Sequence, residues 1–192
     1  MRKIVVMIGL IISIFLVGCT PEQSKNETGV NQTMSNEDLV VEWAPLYTKN
    51  GDTLVDVNSK EYQTMLYNTK NIMFSDIKSE STVTLTTNGG VYIGGENAEG
   101  PFYLLTLLTN RTDKKITNLQ YKIKVVSNAD GTILGESGFD IPSNVYGEYV
   151  EPNIGYAALL PFPDNTFRTS GKVYLKEEIT VYQEITYDTV ED

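Results

Sequence analysis

A strict alternation of apolar and polar side chains at residues 119–125 constrains the fold of this 192-residue chain more than any other feature. The apolar positions are Leu119, Tyr121, Ile123 and Val125, and only glutamine or lysine lies between them. Successive side chains of a β-strand point to opposite faces. The alternation therefore predicts a strand with one buried face and one face in water.

Similar runs predict further strands along the chain. They cover residues 39–43, 54–57, 83–85, 91–93, 102–108, 133–141 and 156–162, and a last run that keeps one phase from 173 to 187. The run at 102–108 is almost continuously apolar, which favours a strand covered on both faces. Turns are predicted at 88–90, 110–115 and 128–131, where asparagine, aspartate and glycine cluster.

One segment has a helical period instead. Tyr62, Met65, Leu66 and Met73 fall on one helical face, and Asn58 with a glutamate three residues later resembles a capping box. We predict one short helix over residues 58–73. Strands at short intervals joined by turns otherwise predict a mainly β fold, an antiparallel β-sandwich.

The amino terminus has the layout of a secretory signal. Arg2 and Lys3 precede an apolar run at 4–17 that is shorter than the ~20 residues of a membrane-spanning helix. It ends in Leu16-Val-Gly-Cys19, which resembles the lipobox of bacterial lipoproteins. In that family the signal peptide is cleaved before the cysteine, here between Gly18 and Cys19, and the thiol receives a diacylglycerol. The resemblance implies a lipid anchor on the extracytoplasmic face of the cell membrane. The richness of the chain in asparagine, lysine and isoleucine favours a Gram-positive bacterium of low GC content.

Composition divides the rest of the chain. Residues 1–18 are expected to be the signal peptide, and residues 19–36, the lipidated cysteine and a polar stretch too poor in apolar side chains to form a core, are expected to be a flexible tether. Residues 37–192 are long enough for one domain. The formal charge of −10 becomes −12 when Arg2 and Lys3 are lost. An acidic domain is repelled by nucleic-acid phosphates, so no nucleic-acid partner is expected.

The region from about 102 to 182 resembles the immunoglobulin-like domains of Gram-positive lipoproteins, including the FxLYD type. The resemblance lies in a strand that ends in asparagine, the run ITNLQYKIKVV at 116–126, an Asp-Gly turn, and VEPNIGYAALLPF at 150–162. It implies an immunoglobulin-like sandwich and an envelope setting. It implies no active site.

Residue types limit the chemistry. The chain has no histidine, and its one cysteine is assigned to lipid, so histidine-dependent nucleophiles and structural zinc sites are not expected. Ser75 and Lys78 match Ser-x-x-Lys, but the partner motifs of that enzyme class are missing. Asn128 and Asp130 lie in part of a calcium-loop pattern whose first and last ligand positions hold no carboxylate. We therefore expect no catalytic residues, metal or cofactor.

One stretch has the composition of a ligand-binding loop. Tyr146, Tyr149, Glu151 and Tyr156 place aromatic rings beside acids, which suits a sugar or peptide ligand. Packing at the rim of a sandwich would explain the same tyrosines. The expected role is binding at the cell surface, with an envelope protein or glycan as partner. Two alternatives remain open: an accessory or immunity lipoprotein of a secretion or conjugation system, and an envelope enzyme that uses carboxylates.

Overall fold

The computed structural model describes residues 39–73, 82–94, 99–162, 168–169 and 171–190. It is mainly β, with two larger sheets that pack face to face and a few short helices, so the prediction of a β-sandwich is confirmed. The predicted signal peptide, Gly18, Cys19 and the tether lie outside the described residues, as do Ser75 and Lys78.

The first sheet has five strands in the order β1-β7-β4-β2-β9. The bounds of these strands are β1 Val40–Trp43, β2 Val83–Tyr92, β4 Phe102–Asn110, β7 Ile154–Phe162 and β9 Val173–Tyr174. All the pairings are antiparallel except that of β1, which runs parallel to β7. The strand β4 is central, and each of its residues except Tyr103 is buried, as its continuous apolar run predicts.

The second sheet has three strands in the order β10-β5-β6, all antiparallel. They are β5 Lys115–Ser127, β6 Ile133–Asp140 and β10 Ile179–Val190. The predicted alternation in β5 is confirmed, because its apolar side chains from 119 to 125 are buried while Gln120 and Lys122 are exposed. The two sheets meet in one core, where the rings of Phe139 and Phe162 pack edge to face at 5.2 Å. A further two-stranded ribbon joins β3 Glu99–Gly100 to β8 Arg168–Thr169.

The helices lie outside the sandwich layers. They are α1 Pro45–Thr48, α2 Lys60–Met73, α3 Ser143–Tyr146 and a 3-10 turn at Lys176–Glu178. The predicted helix is therefore present, and its buried Tyr62 packs edge to face on Trp43 of β1 at 5.8 Å. The predicted cap is wrong: Ser59 Oγ, not Asn58, accepts a hydrogen bond from the Tyr62 amide at 3.3 Å. None of the described helices is long and apolar enough to cross a membrane.

Three details of the predicted secondary structure are wrong. Residues 54–57 form bends and turns, held where the Tyr62 hydroxyl donates to Leu54 O at 2.8 Å. Residues 88–90 do not end a strand but form an irregularity inside β2, where a Cβ on Gly90 would clash with the ring of Phe102. The phase from 173 to 187 is shared by two strands of different sheets, because the 3-10 turn at Lys176–Glu178 carries the chain from one to the other.

Candidate binding surface

The predicted ligand loop is the connection between β6 and β7, residues 141–153. It contains α3, which is followed by Gly147 with a φ of +93°, a left-handed conformation that favours glycine. Beyond it, Val150 forms a two-way backbone pair with Ile116 of β5, with N···O distances of 3.1 and 2.9 Å. The loop is therefore attached to the second sheet immediately after Tyr149.

A buried asparagine supports this attachment. Asn110, at the end of β4, is fully buried, and its Nδ2 donates to Val150 O and to Lys114 O, each at 2.9 Å. Its Oδ1 accepts from the amide of Thr112 at 3.1 Å and from the hydroxyl of that threonine at 2.7 Å. All the polar atoms of this side chain thus have partners, as a buried amide requires.

Sequence reasoning did not assign Asn110 a role at the site. The available signal was the turn composition at 110–115, because an asparagine that accepts from the amide two residues later is a common turn device. Asn153 completes this region: its amide donates to Asn110 O at 2.8 Å, and its φ of +59° turns the chain into β7. The guanidinium of the neighbouring buried Arg111 donates to Asn153 Oδ1 at 3.1 Å.

Two of the four predicted contact residues are buried. The rings of Tyr146 and Tyr156 stack with centroids 5.8 Å apart and planes 10° apart, and the side chains are 3% and 8% exposed. Burial raises the pKa of Tyr146, and Tyr121 lies beside it in the core with its pKa raised in the same way. These rings serve packing at the end of the sandwich. Tyr156 also belongs to the alternating set at 156–162, a signal that already pointed to burial.

The other two, Tyr149 and Glu151, are exposed and share a small surface with Lys115 and Glu148 that we call the Tyr149 patch. The Tyr149 hydroxyl donates to Glu148 Oε1 at 2.9 Å, and this hydrogen bond and the charge of Glu148 raise the pKa of Tyr149. The ammonium of Lys115 lies 3.7 Å from Glu151 Oε1 and 6.0 Å from the centre of the Tyr149 ring. The patch thus offers one aromatic face, two carboxylates and one cation to a ligand.

A groove of about 320 Å³ lies between β2 and β10, and none of its lining residues belongs to the Tyr149 patch. Its lining is Val83, Thr84, Leu85, Thr86, Thr87, Val181, Gln183 and Ile185. The Gln183 side chain crosses it, and its Nε2 donates to Leu85 O at 2.5 Å. This surface was not predicted, because the facing of two strands from different sheets depends on how the sheets stack.

The segment at 128–131 is a turn. Asp130 Oδ1 accepts from the Thr132 amide at 3.1 Å, and hydrogen bonds from that residue lower the pKa of the Asp130 carboxyl. Asn128 is used in a similar way, since its Nδ2 donates to Glu177 O and its Oδ1 accepts from the Thr180 hydroxyl. Within the described ranges, no three carboxylate or thiol side chains converge in a way that could hold a metal ion.

The chain matches no protein-family model, and comparison with curated proteins and with solved structures found none similar to it. The immunoglobulin-like lipoprotein resemblance thus remains a prediction from short runs of sequence. The function of this chain has to be inferred from its own residues.

Proposed function

We propose that the protein is a bacterial lipoprotein, anchored through Cys19 to the outer face of the cell membrane, whose β-sandwich domain binds a partner in the envelope. The observation that carries the proposal is the sequence Leu16-Val-Gly-Cys19 after a basic start and a short apolar run. Cys19 is the only thiol in the chain, so a thioether-linked lipid has one possible acceptor. Such a lipid contributes about 0.8 kcal/mol of membrane affinity per buried methylene.

The distance between anchor and domain suits this role. The first described residue, Leu39, follows Cys19 by 20 residues and is 1% exposed. A polar stretch of that length would span on the order of 25 Å as a coil, which keeps a domain close to the membrane surface. Partners within the envelope would then be in reach.

The Tyr149 patch supports binding as the activity. Tyrosine offers a large rigid contact area at low entropic cost, and flanking carboxylates and a lysine add directional polar contacts. The patch is also attached to both sheets, through the Val150–Ile116 pair and through Asn110. A ligand would therefore meet a surface that is already ordered, which limits the entropic cost of binding.

The anchor is tested by the Cys19→Ala variant, with Thr20→Ala as its neighbour control. The wild type and Thr20→Ala should carry lipid by mass spectrometry of the amino-terminal peptide and fractionate with membrane. Cys19→Ala should carry none. A wild-type chain without lipid would refute the proposed anchor.

Binding at the patch is tested by placing a photo-crosslinking amino acid at position 149 in cells. The control is the same amino acid at position 67, because Tyr67 is 67% exposed and belongs to α2 and not to the loop. We expect position 149 to give a defined adduct with an envelope protein or glycan, which Glu151→Lys weakens, and position 67 to give none. Equal adducts from both positions, or none from position 149, would count against this surface.

A further inference from the structure

We propose that the free edge of β10 binds an extended, lysine- or arginine-bearing peptide segment, which adds to the second sheet as an antiparallel strand. The observation behind this is that β10 has a strand partner, β5, on one side only within the described part of the chain. The proposal concerns a different surface from the Tyr149 patch and holds whether or not the chain carries a lipid.

The hydrogen-bond pattern shows which groups of β10 face this edge. The amide of Asn128 donates to Glu178 O at 2.9 Å, so the backbone of Glu178 faces the β5 side. In an antiparallel pair every second residue of a strand makes hydrogen bonds with the neighbouring strand, and the residues between them face the other way. Tyr182 and Glu184 therefore direct their backbone groups toward β5. Val181, Gln183 and Ile185 direct theirs away from it, to the open edge.

The open edge differs from an ordinary protected one because an apolar groove lies beneath it. The inward-facing side chains of Val181 and Ile185 are only half-buried, since they line the 320 Å³ groove toward β2. Across the groove, the first half of β2 also has no strand neighbour on that side among the described residues, because β9 pairs only with Gly90 and Val91. An added strand would cover the groove with one row of its side chains and satisfy the backbone of β10 at the same time.

The negative charge of β10 favours a partner with basic side chains. From Glu177 to Val190 the chain has four acids (Glu177, Glu178, Glu184 and Asp188) and no lysine or arginine. On the outer face, Glu184 contacts Lys122 through Oε2 at 3.3 Å, but both side chains are more than 70% exposed. The ring of Tyr182 beside it is 61% exposed and can also accept a cation over its face.

The same charges disfavour a second copy of this chain as the occupant. Pairing β10 with itself would place two acidic strands together on two chains that each have a formal charge of −10. Like charges on neighbouring strands destabilise the pairing. A segment with basic side chains on one face and small apolar side chains on the other complements both the acidic outer face of β10 and the apolar groove beneath its edge.

The probe is a capped peptide of about seven residues with alternating lysine and valine, the length of an ordinary strand. In an antiparallel addition the residues opposite Val181, Gln183 and Ile185 face the groove and make the hydrogen bonds. Those residues are the valines of the probe. Methylation of the backbone nitrogens of the valines should therefore abolish binding. Methylation of the backbone nitrogens of the lysines gives a peptide of identical charge and composition and should not abolish binding.

Binding is measured on the full chain in a non-ionic detergent by fluorescence anisotropy at about 0.15 M salt, which screens charges separated by more than about 8 Å. We expect Glu184→Lys to weaken binding by about ten-fold. The matched control is Glu136→Lys, since Glu136 is likewise an exposed glutamate paired with a β5 lysine, Lys124 at 3.2 Å, but lies on β6 at the opposite edge. That variant makes the same change in net charge and should leave the affinity nearly unchanged.

Residue-resolved hydrogen exchange supplies the second readout. The probe should slow exchange at the amides of Val181, Gln183 and Ile185. Equal binding of the two methylated peptides, equal loss from the two charge reversals, or protection confined to β6 would overturn the proposal. Dimerisation through β10 in sedimentation experiments without the probe would overturn it too.

Discussion

Replacement of Asn110 by alanine tests how the Tyr149 patch is held. The Asn110 side chain makes four hydrogen bonds, two as donor to the carbonyls of Lys114 and Val150 and two as acceptor from Thr112. The substitution removes all four without changing the chain's charge. It leaves the backbone pair between Val150 and Ile116 in place.

The expected loss of unfolding free energy depends on which polar groups are left without a hydrogen-bond partner. Val150 O still accepts from the Ile116 amide at 3.1 Å, and the single hydrogen of the Thr112 hydroxyl, freed from Asn110 Oδ1, can be donated to Lys114 O, 2.9 Å away. The Thr112 amide, which is partly buried, loses the acceptor it has, at a cost in the lower half of the range of about 1–3 kcal/mol for an unsatisfied buried donor, and the two weakened carbonyls add about 1 kcal/mol together. The total is a loss of about 2–3 kcal/mol of unfolding free energy.

The assay is urea unfolding followed by the fluorescence of Trp43, the single tryptophan of the chain, which is 2% exposed. The control is Thr112→Val: it removes the hydroxyl but leaves Asn110 with its two donor bonds and one acceptor bond, so it should cost less than about 1 kcal/mol. Amide exchange at 148–151 should rise in Asn110→Ala alone. A loss below about 1 kcal/mol, or an equal loss in both variants, would refute this account of the site.

Three further predictions concern stability. Ile123→Ala should cost about 2–5 kcal/mol because Ile123 is 2% exposed, and Lys122→Ala less than about 0.5 kcal/mol because its side chain is 80% exposed; equal losses in urea melts would contradict the assigned faces of β5. Residues 37–192 should fold alone, and EDTA should leave their melting temperature unchanged; a shift of more than a few degrees would reveal a bound metal. Burial raises the pKa of Tyr62 to about 12 from its ordinary value of 10, so its contribution to stability is complete below pH 10 and is lost as the pH rises from 10 to 12. Urea unfolding at about pH 8 and pH 11 should show this loss, and Tyr62→Phe should reduce it; a stability that is unchanged at the higher pH would contradict the burial of this phenol.

Local sequence determined the class of the fold and the faces of its regular strands. A side-chain period of two is a property of each strand by itself, so the burial of Tyr121 and Ile123 and the exposure of Lys122 follow from β5 alone. The same holds for the continuous apolar run of β4 and for the helical period before Met73. These features do not depend on which other strands lie nearby.

Tertiary structure decided the features that involve two distant segments. Tyr146 and Tyr149 have the same local composition, yet Tyr146 stacks on Tyr156 in the core and Tyr149 reaches solvent. The difference arises because Val150, which lies between these tyrosines and β7, pairs with Ile116 of β5. The period of two likewise continues through residues 173–187 although the chain changes sheets within them, since alternation specifies a face but not a neighbour. Within the described residues, the groove beside β10 exists because the open edge of β10 faces the first half of β2, where β9 does not pair. Pairing and stacking depend on long-range packing, so they cannot be read from the period of any one segment.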